Sequence, residues 1–381
     1  MPLEKFVQSL VKVSPGKKSF LSIYLDLRPE GRGKKLHTIF LKNRLPELAQ
    51  VLPAHSREQT LLARDVKRVQ KFLEDKLDPS WKGIALFACA AEAVFLQIPL
   101  PLPPQNELVL SAQPHLFSLV RQADLYRSYA VLAADSRQAR LFWIQEGRIE
   151  KQKPLAWEDE HTTRFGRMGL SLQKFQRHIQ GHTRQRMKEA VENLVKWVGR
   201  GKMEYLFTVT EEGMEGEIQK HLPSSWRKKQ EALVSLDPRA PDHKILSGAI
   251  EAIRALLRER AQALVRQLLE EAQPLGKATA GPEPTLSALQ NHQVERLVLD
   301  GQFQADGWQC QACGYLGTGG VPRSCPLCQG ETNPAKLREA VVFLALSQGI
   351  DLSFTDHFPP LVKAGGIGAM LKFNISGRRK R

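Results

Sequence analysis

Cys310, Cys313, Cys325 and Cys328 form two knuckles, Cys-Gln-Ala-Cys-Gly and Cys-Pro-Leu-Cys-Gln-Gly, in a chain with five cysteines in all. Two pairs of thiols, each pair split by two residues, can surround one tetrahedral ion, and zinc is the usual occupant. A full shell of four thiolates leaves no open position for water or substrate, so the expected ion is a structural Zn2+. Gly314 and Gly330 follow the two pairs and are expected to relieve the turns that aim the sulfurs at one centre. The eleven residues 314–324 between the pairs are enough for a short hairpin arm, which predicts a zinc ribbon. Two disulfides would belong to an exported chain, and Met1-Pro-Leu-Glu-Lys lacks the basic-then-apolar layout of a signal peptide. The fifth cysteine, Cys89, sits in an apolar run and reads as a small buried hydrophobe.

A second constellation lies between Arg164 and Lys188. Arg164 and Arg167 bracket glycines at 166 and 169, which give the backbone freedom other residues resist. Lys174, Arg177, His178, His182, Arg184, Arg186 and Lys188 follow in a helical pattern, several of them at three- and four-residue intervals. Such a row can track a phosphate backbone without reading its sequence. The plainer alternative is a solvated helical face; the adjacent glycine loop and the net charge favour RNA. His178 and His182 stand one turn apart, but no acidic partner at suitable spacing completes a metal site, so a surface contact is expected. Ser171 and Asp135 make no hydrolase triad, since the Gly-x-Ser-x-Gly elbow is absent and Asp135 reads as a strand end. Gly276-Lys277 and Gly317-Thr-Gly-Gly320 lack phosphate-loop spacing, which argues against nucleotide hydrolysis.

These residues need a scaffold. The 381 residues exceed what one core holds, about 250–300 residues, so two or three domains are expected. A hydrophobic content of 42% is enough for real cores. No run of eighteen apolar residues predicts a membrane span, and the expected location is the cytoplasm. The formal net charge of +15 implies a polyanionic partner, most often nucleic acid. The tail Gly377-Arg-Arg-Lys-Arg381 and the run Arg32, Lys34 and Lys35 add to that charge, although solvated termini and turns often look the same.

Periodicity predicts a first segment with a strand at 19–27, helices at 35–51 and 57–77, and strands at 83–89 and 93–98. Pro99 to Pro104 is expected to be a stiff connector outside any central strand. The next segment reads as strands at 128–135, 138–144 and 148–153, then a basic helix over 172–198. Strand 204–210, helix 212–221, strand 232–236 and a long helix over 242–272 follow. The last segment reads as a flexible break at 275–281, helix 284–291 and strand 294–300. After the cysteine module come helix 334–348 and strands 350–354 and 368–373. Strands alternating with helices imply α/β layers.

Three stretches of this last segment resemble the C-terminal domain of archaeo-eukaryotic class 1 peptide-chain release factors. They are Ala278 to Leu289 leading into Val294-Glu-Arg-Leu-Val-Leu-Asp300, the four-cysteine insertion, and Gly365-Gly-Ile-Gly-Ala-Met-Leu-Lys-Phe373. The N-terminal strand–helix–helix–strand order is similar to the bacterial branch of that superfamily, which also resembles a eukaryotic ribosome-rescue peptidyl-tRNA hydrolase. The resemblance implies three α/β domains, at 1–112, 113–240 and 241–381. The central one would be RNase H-like, and the last an α/β/α sandwich with a zinc ribbon inserted at about 303–332. It also implies a Gly-Gly-Gln loop in the central domain that enters the peptidyl-transferase centre. Here Met168-Gly169-Leu170-Ser171-Leu172 stands at that place, with leucine where the family has glutamine and Gln173 as the nearest amide. The resemblance makes Gly169, Ser171 and Gln173 the catalytic candidates. The implied partners are the ribosome, rRNA, P-site peptidyl-tRNA and a translational GTPase. Two functions follow, a peptidyl-tRNA hydrolase rescuing stalled ribosomes and a non-catalytic factor occupying the A site of idle ones. A nuclease is a weaker third, because the sequence shows no carboxylate cluster for catalytic metals. No stop-codon-reading motif is visible in the N-terminal segment.

Overall fold

The computed structural model describes residues 3–13, 20–29, 36–50, 52–53, 55–123, 128–145, 148–157, 172–199, 203–233, 236–274 and 276–373, with 172–180 described by their backbone alone. The chain divides into two compact units, Met1–Ala123 together with Leu256–Arg381, and Asp124–Ala255. The expected three segments therefore fall into two units, and the first of these keeps separate sheets for its N-terminal and C-terminal parts. No helix among the described residues is long and apolar enough to cross a membrane.

The N-terminal part runs α1 (Leu3–Val11), β1 (Phe20–Asp26), α2 (Leu36–Gln50), α3 (Arg57–Asp75), β2 (Gly83–Cys89), β3 (Val94–Leu100), β4 (Glu107–Ser111) and α4 (Phe117–Val120). Its antiparallel sheet has the order β3-β2-β1-β4. The apolar runs Phe-Leu-Ser-Ile-Tyr-Leu and Gly-Ile-Ala-Leu-Phe-Ala-Cys become the two central strands and are buried along their length, Cys89 included. Leu62, Val69 and Phe72 of α3 cover Leu21, Ile23 and Leu25 of β1. Ser56 caps α3 by accepting the Gln59 amide at 3.1 Å. Pro99 lies inside β3, opposite Ile84, rather than in a connector. An edge strand tolerates it because one side of the backbone needs no donor.

The second unit runs β5 (Tyr129–Ala134), β6 (Gln138–Gln145), β7 (Arg148–Ala156), α5 (Leu172–Val198), β8 (Tyr205–Thr210), α6 (Glu215–His221), α7 (Ser224–Arg227), β9 (Gln230–Ala232) and the start of α8 (Asp242–Glu271). Its sheet has the order β7-β6-β5-β8-β9, with an antiparallel meander β5-β6-β7 and with β8 and β9 parallel to β5. Met187, Ala190, Val191 and Leu194 recur at helical spacing and place one face of α5 on Ala130, Leu132, Leu141 and Leu206.

The C-terminal part of the first unit continues from α8 with β10 (Ala278–Ala280), α9 (Pro282–Gln290), β11 (Val294–Asp300), β12 (Asp306–Cys310), β13 (Leu316–Thr318), β14 (Thr332–Lys336), α10 (Leu337–Ser347), β15 (Asp351–Thr355), α11 (Pro359–Lys363) and β16 (Ile367–Leu371). The main sheet is β10-β16-β11-β15, in which only β11 and β15 are parallel. Val265 and Leu268 of α8 pack on Ala278, Val298 and Leu361. Two of these strands run against the expected elements. Part of the flexible break at 275–281 is β10, drawn into order by pairing with β16. Pro334 lies in β14, an edge strand opposite Trp308, and α10 begins only at Leu337.

Within this unit a buried ionic cluster fixes residues 107–118 to α10. His115 Nε2 lies 3.3 Å from Glu107 Oε2 and 3.3 Å from Glu339 Oε1, without hydrogen-bond alignment to either. Glu339 Oε2 accepts the amides of Leu116 at 3.1 Å and Phe117 at 3.3 Å. Arg338 approaches Glu339 at 3.4 Å and stacks over the Phe117 ring at 4.5 Å. Burial raises the Glu107 carboxyl, but the imidazole, Arg338 and Ser118 together outweigh it and hold the group below the usual range. At Glu339 burial prevails over His115, the Phe117 amide and Arg338, and the carboxyl is raised.

Candidate functional site

The cysteine module is a three-stranded antiparallel sheet in the order β13-β12-β14, with one knuckle leaving β12 and the other preceding β14. Each knuckle closes on its own backbone. The Gly314 amide donates to the Cys310 carbonyl at 3.0 Å, and the Gln329 amide to the Cys325 carbonyl at 2.9 Å. Gly314 has φ +74, as the turn requires. In the second knuckle the left-handed residue is Gln329, φ 61, not Gly330. Gly330 is needed for space instead: a Cβ there would come within 3.3 Å of the sulfurs of Cys310 and Cys328.

The four sulfurs lie within 4.8 Å of one another. Cys310 and Cys328 are 3.5 Å apart, and Cys313 and Cys325 are 3.7 Å apart. These separations far exceed a disulfide bond of about 2.05 Å. They fit the tetrahedral edge of about 3.8 Å that metal–thiolate bonds of about 2.3 Å require. The cluster can therefore hold a metal ion. The amides of Cys313 and Ala312 point at the Cys310 sulfur and, with Cys328 and Cys313, lower its pKa to about 6. At Cys313 the Tyr315 amide favours the thiolate, but burial and the neighbouring sulfurs outweigh it and push the group up to about 12. Four crowded thiols thus resist losing their protons together unless a cation neutralises them. Trp308 and Tyr315, 5.9 Å apart, cover the buried pair Cys310 and Cys325. The Gln290 side chain of α9 pairs with the edge of β13, accepting the Leu316 amide at 2.7 Å and donating to its carbonyl at 3.1 Å.

The basic helix is α5, over the residues the sequence predicts. Arg164, Arg167, Gly169 and Ser171 lie outside the described residues, and Gln173, Lys174, Arg177 and His178 are placed by backbone only, in the first turns of α5. His182 is half-buried, and Arg184 is exposed. Arg186 turns inward: its guanidinium donates to the Ser136 carbonyl and lies 5.9 Å over the Trp157 ring. Its role is to tie α5 to the β5–β6 turn.

On the other side of α5 the structure assembles what the sequence did not show. Arg184 and Lys188 face Glu217, Lys220 and His221 of α6 across an open groove of about 380 Å³, with Gly181 leaving one wall bare. Glu217 Oε1 is 2.7 Å from Lys220 Nζ and 3.4 Å from Arg184 Nε. The Lys220 hydrogen bond leads the causes that hold the Glu217 carboxyl below its ordinary value, with Arg184 contributing. The helical spacing of Glu217, Lys220 and His221 was legible; their position beside α5 was not.

Carboxylates do gather at the carboxyl ends of the parallel strands β5 and β8. Asp135 is 3% exposed, and its Oδ1 accepts the amides of Arg137 at 2.7 Å and Gln138 at 2.8 Å. Arg239 reaches Asp135 Oδ2 at 3.8 Å, Glu211 at 3.2 Å and Asp237 at 3.4 Å. A guanidinium sits among these acids, at the sheet end where parallel strands commonly place ligands.

Residues 114–254, which take in nearly all of this second unit, match the model of bacterial archaeo-eukaryotic release factor family 10. Residues 114–254 are release-factor-like. Among solved structures it is similar to the archaeal translation termination factor aRF1, at 14% identity over 97% of both chains with a TM-score of 0.26. Archaeoglobus fulgidus Pelota matches at 13% identity over 77% of this chain and 81% of its own, with a TM-score of 0.37. Dom34 of S. cerevisiae, described as a translation termination-like factor interacting with Hbs1, matches at 10% identity over 75% of each chain, with a TM-score of 0.35. All three scores lie below 0.5, too low to support a functional claim. Comparison with curated proteins finds no match.

Proposed function

We propose that this chain is a ribosome-associated factor of the rescue or termination-like type, whose central unit contacts RNA through α5 and the loop before it. The observation that carries the reading is the match of residues 114–254 to a release-factor family, on the segment where the cationic α5 begins. The β7-β6-β5-β8-β9 order suits an RNase H-like core. The four cysteines are assigned to a structural zinc ion, whose closed thiolate shell supports the ribbon and takes no part in a reaction. A translational GTPase partner belongs to the same reading, as the release-factor resemblance of the C-terminal segment implies.

The reaction assigned to the loop is hydrolysis of the peptidyl-tRNA ester. Water adds to the ester carbonyl, the ribose oxygen leaves with a proton, and the peptide departs as an acid. Residues 164–173 would supply position and hydrogen bonding, with Gln173 as the amide, Ser171 beside it and Gly169 allowing close approach. The second reading is occupancy of the A site without hydrolysis. What favours it is leucine at 172, or at 170 in the other alignment, where the family carries glutamine. The nuclease reading loses ground, because Arg239 and the turn amides already engage the carboxylates at the ends of β5 and β8.

The test is release of labelled nascent peptide from purified stalled ribosomes by wild type, Gln173→Ala and Gly169→Ala. Release that either substitution abolishes supports the hydrolase. Tight binding without release supports occupancy, and a wild type that neither binds nor releases overturns both.

A further inference from the structure

We infer that the groove between α5 and α6 seats an RNA phosphate backbone, with Arg184, Lys188 and Lys220 as its phosphate contacts. The choice of RNA rests on the ribosome-associated reading; the groove itself rests on geometry. Arg184 and Lys220 are 63% and 64% exposed, while the Glu217 side chain between them is 18% exposed. The carboxylate thus lies low and the cations stand at the rim. Both cations are held through the same oxygen, Glu217 Oε1, which leaves their other N–H groups to solvent. Lys188 is 48% exposed and stands one helical turn beyond Arg184. Glu192 lies 4.0 Å from Lys188, so three cations against two carboxylates leave the rim with a net positive charge, and His221 adds a donor.

The shape selects among anions. The groove is open, shallow and bounded by polar side chains, with no Phe, Tyr or Trp among its lining residues on which a base would stack. A single small phosphate prefers an enclosed site with buried donors. A polymer that lays successive phosphates along a helix face needs only this row of cations at helical spacing, and its contacts position without reading sequence.

The experiment uses the full-length chain and a labelled RNA stem-loop, with binding followed by fluorescence anisotropy from 50 to 200 mM salt. The variants are Lys188→Ala with Lys220→Ala, and a charge-matched control on α3, Lys67→Ala with Lys71→Ala, both exposed lysines. Losing two phosphate contacts is expected to flatten the log–log salt slope by roughly 1.4–1.8. It should weaken binding about tenfold at the low-salt end, and the control should do neither. An unchanged slope, or an equal loss in the control, overturns the groove in favour of bulk charge. Competition by polyglutamate as effective as competition by unlabelled RNA overturns the RNA assignment and makes the occupant an acidic peptide. Ribosome pelleting separates the two levels. A groove variant that pellets like wild type sinks the groove alone, whereas a wild type that does not pellet sinks the ribosome reading.

Discussion

Glu339 offers a sharp test of how the first unit is held together. Its Oε2 is the acceptor for two amides, those of Leu116 and Phe117, and both residues are buried, at 1% and 2% exposure. Glu339→Ala strands both donors away from water and leaves His115 with a single carboxylate neighbour. Hydrogen bonds to a charged acceptor contribute about 1.5–3 kcal/mol, and an unsatisfied buried group costs a similar amount. A loss of about 2–3 kcal/mol is therefore expected for this joint, or roughly 30- to 160-fold in the equilibrium for opening it. Amide hydrogen exchange at Leu116 and Phe117 reads that opening locally, and protection should fall by the same factor.

Glu339→Gln separates the acceptor from the charge. The amide oxygen still accepts both N–H groups, so protection at pH 7 should stay within about 1 kcal/mol of wild type. The pH dependence should change. Because burial raises the Glu339 carboxyl, its contribution is present at low pH and is lost as pH rises through the folded-state value. Glu107 is depressed, so its contribution is present above the ordinary glutamate range and is lost as pH falls through the folded-state value. Wild type should lose protection on both sides, and Glu339→Gln on the acid side only. Unchanged protection in Glu339→Ala, or equal damage from Ala and Gln, refutes the assignment of Glu339 as the acceptor of this joint.

Cys310→Ser and Cys325→Ser should abolish stoichiometric zinc measured by atomic emission, and should expose the amides of β12–β14 to exchange while those of β5–β8 stay protected. Gln290→Ala should cost about 1–2 kcal/mol at the α9–β13 junction, seen as faster exchange at Leu316 with zinc retained, since one amide side chain makes both bonds there. Arg239→Gln, half-exposed as the arginine is, should lower stability by no more than about 1 kcal/mol in a denaturant titration. It should confer no magnesium-dependent cleavage of RNA; cleavage would restore the nuclease reading.

What the sequence disclosed depended on how local the cause was. The knuckles were legible because each Cys-x-x-Cys carries its own geometry, and α5 because its apolar face repeats every three or four residues from Met187 to Leu194. Strand β11 was bounded to the residue because its apolar run is equally local. Strand β10 was not, since three residues of Ala-Thr-Ala hold no periodicity and owe their form to β16. The role of Glu339 was equally hidden: its partners lie more than two hundred positions away. Arg186 shows what a run of charges does not reveal. A cation in a basic run looked like a surface contact, yet Ser136 and Trp157 draw it inward.

The second unit places its charges in a way that weighs on what it does. At the carboxyl ends of β5 and β8, Asp135 is closed off by turn amides on one oxygen and by Arg239 on the other. Glu211 shares that guanidinium. A divalent ion arriving there would have to displace a tethered cation that costs nothing to recruit. Between α5 and α6 the arrangement is reversed. Glu217 pairs with Arg184 and Lys220, Lys188 lines the same groove beside Glu192, and the cations are the exposed members around Glu217. Acids neutralised at the sheet ends and bases left open on the helices make a surface for holding a polyanion. Metal-assisted cutting would need the opposite distribution. Under the proposed reading, hydrolysis falls to residues 164–173, where positioning would supply the rate.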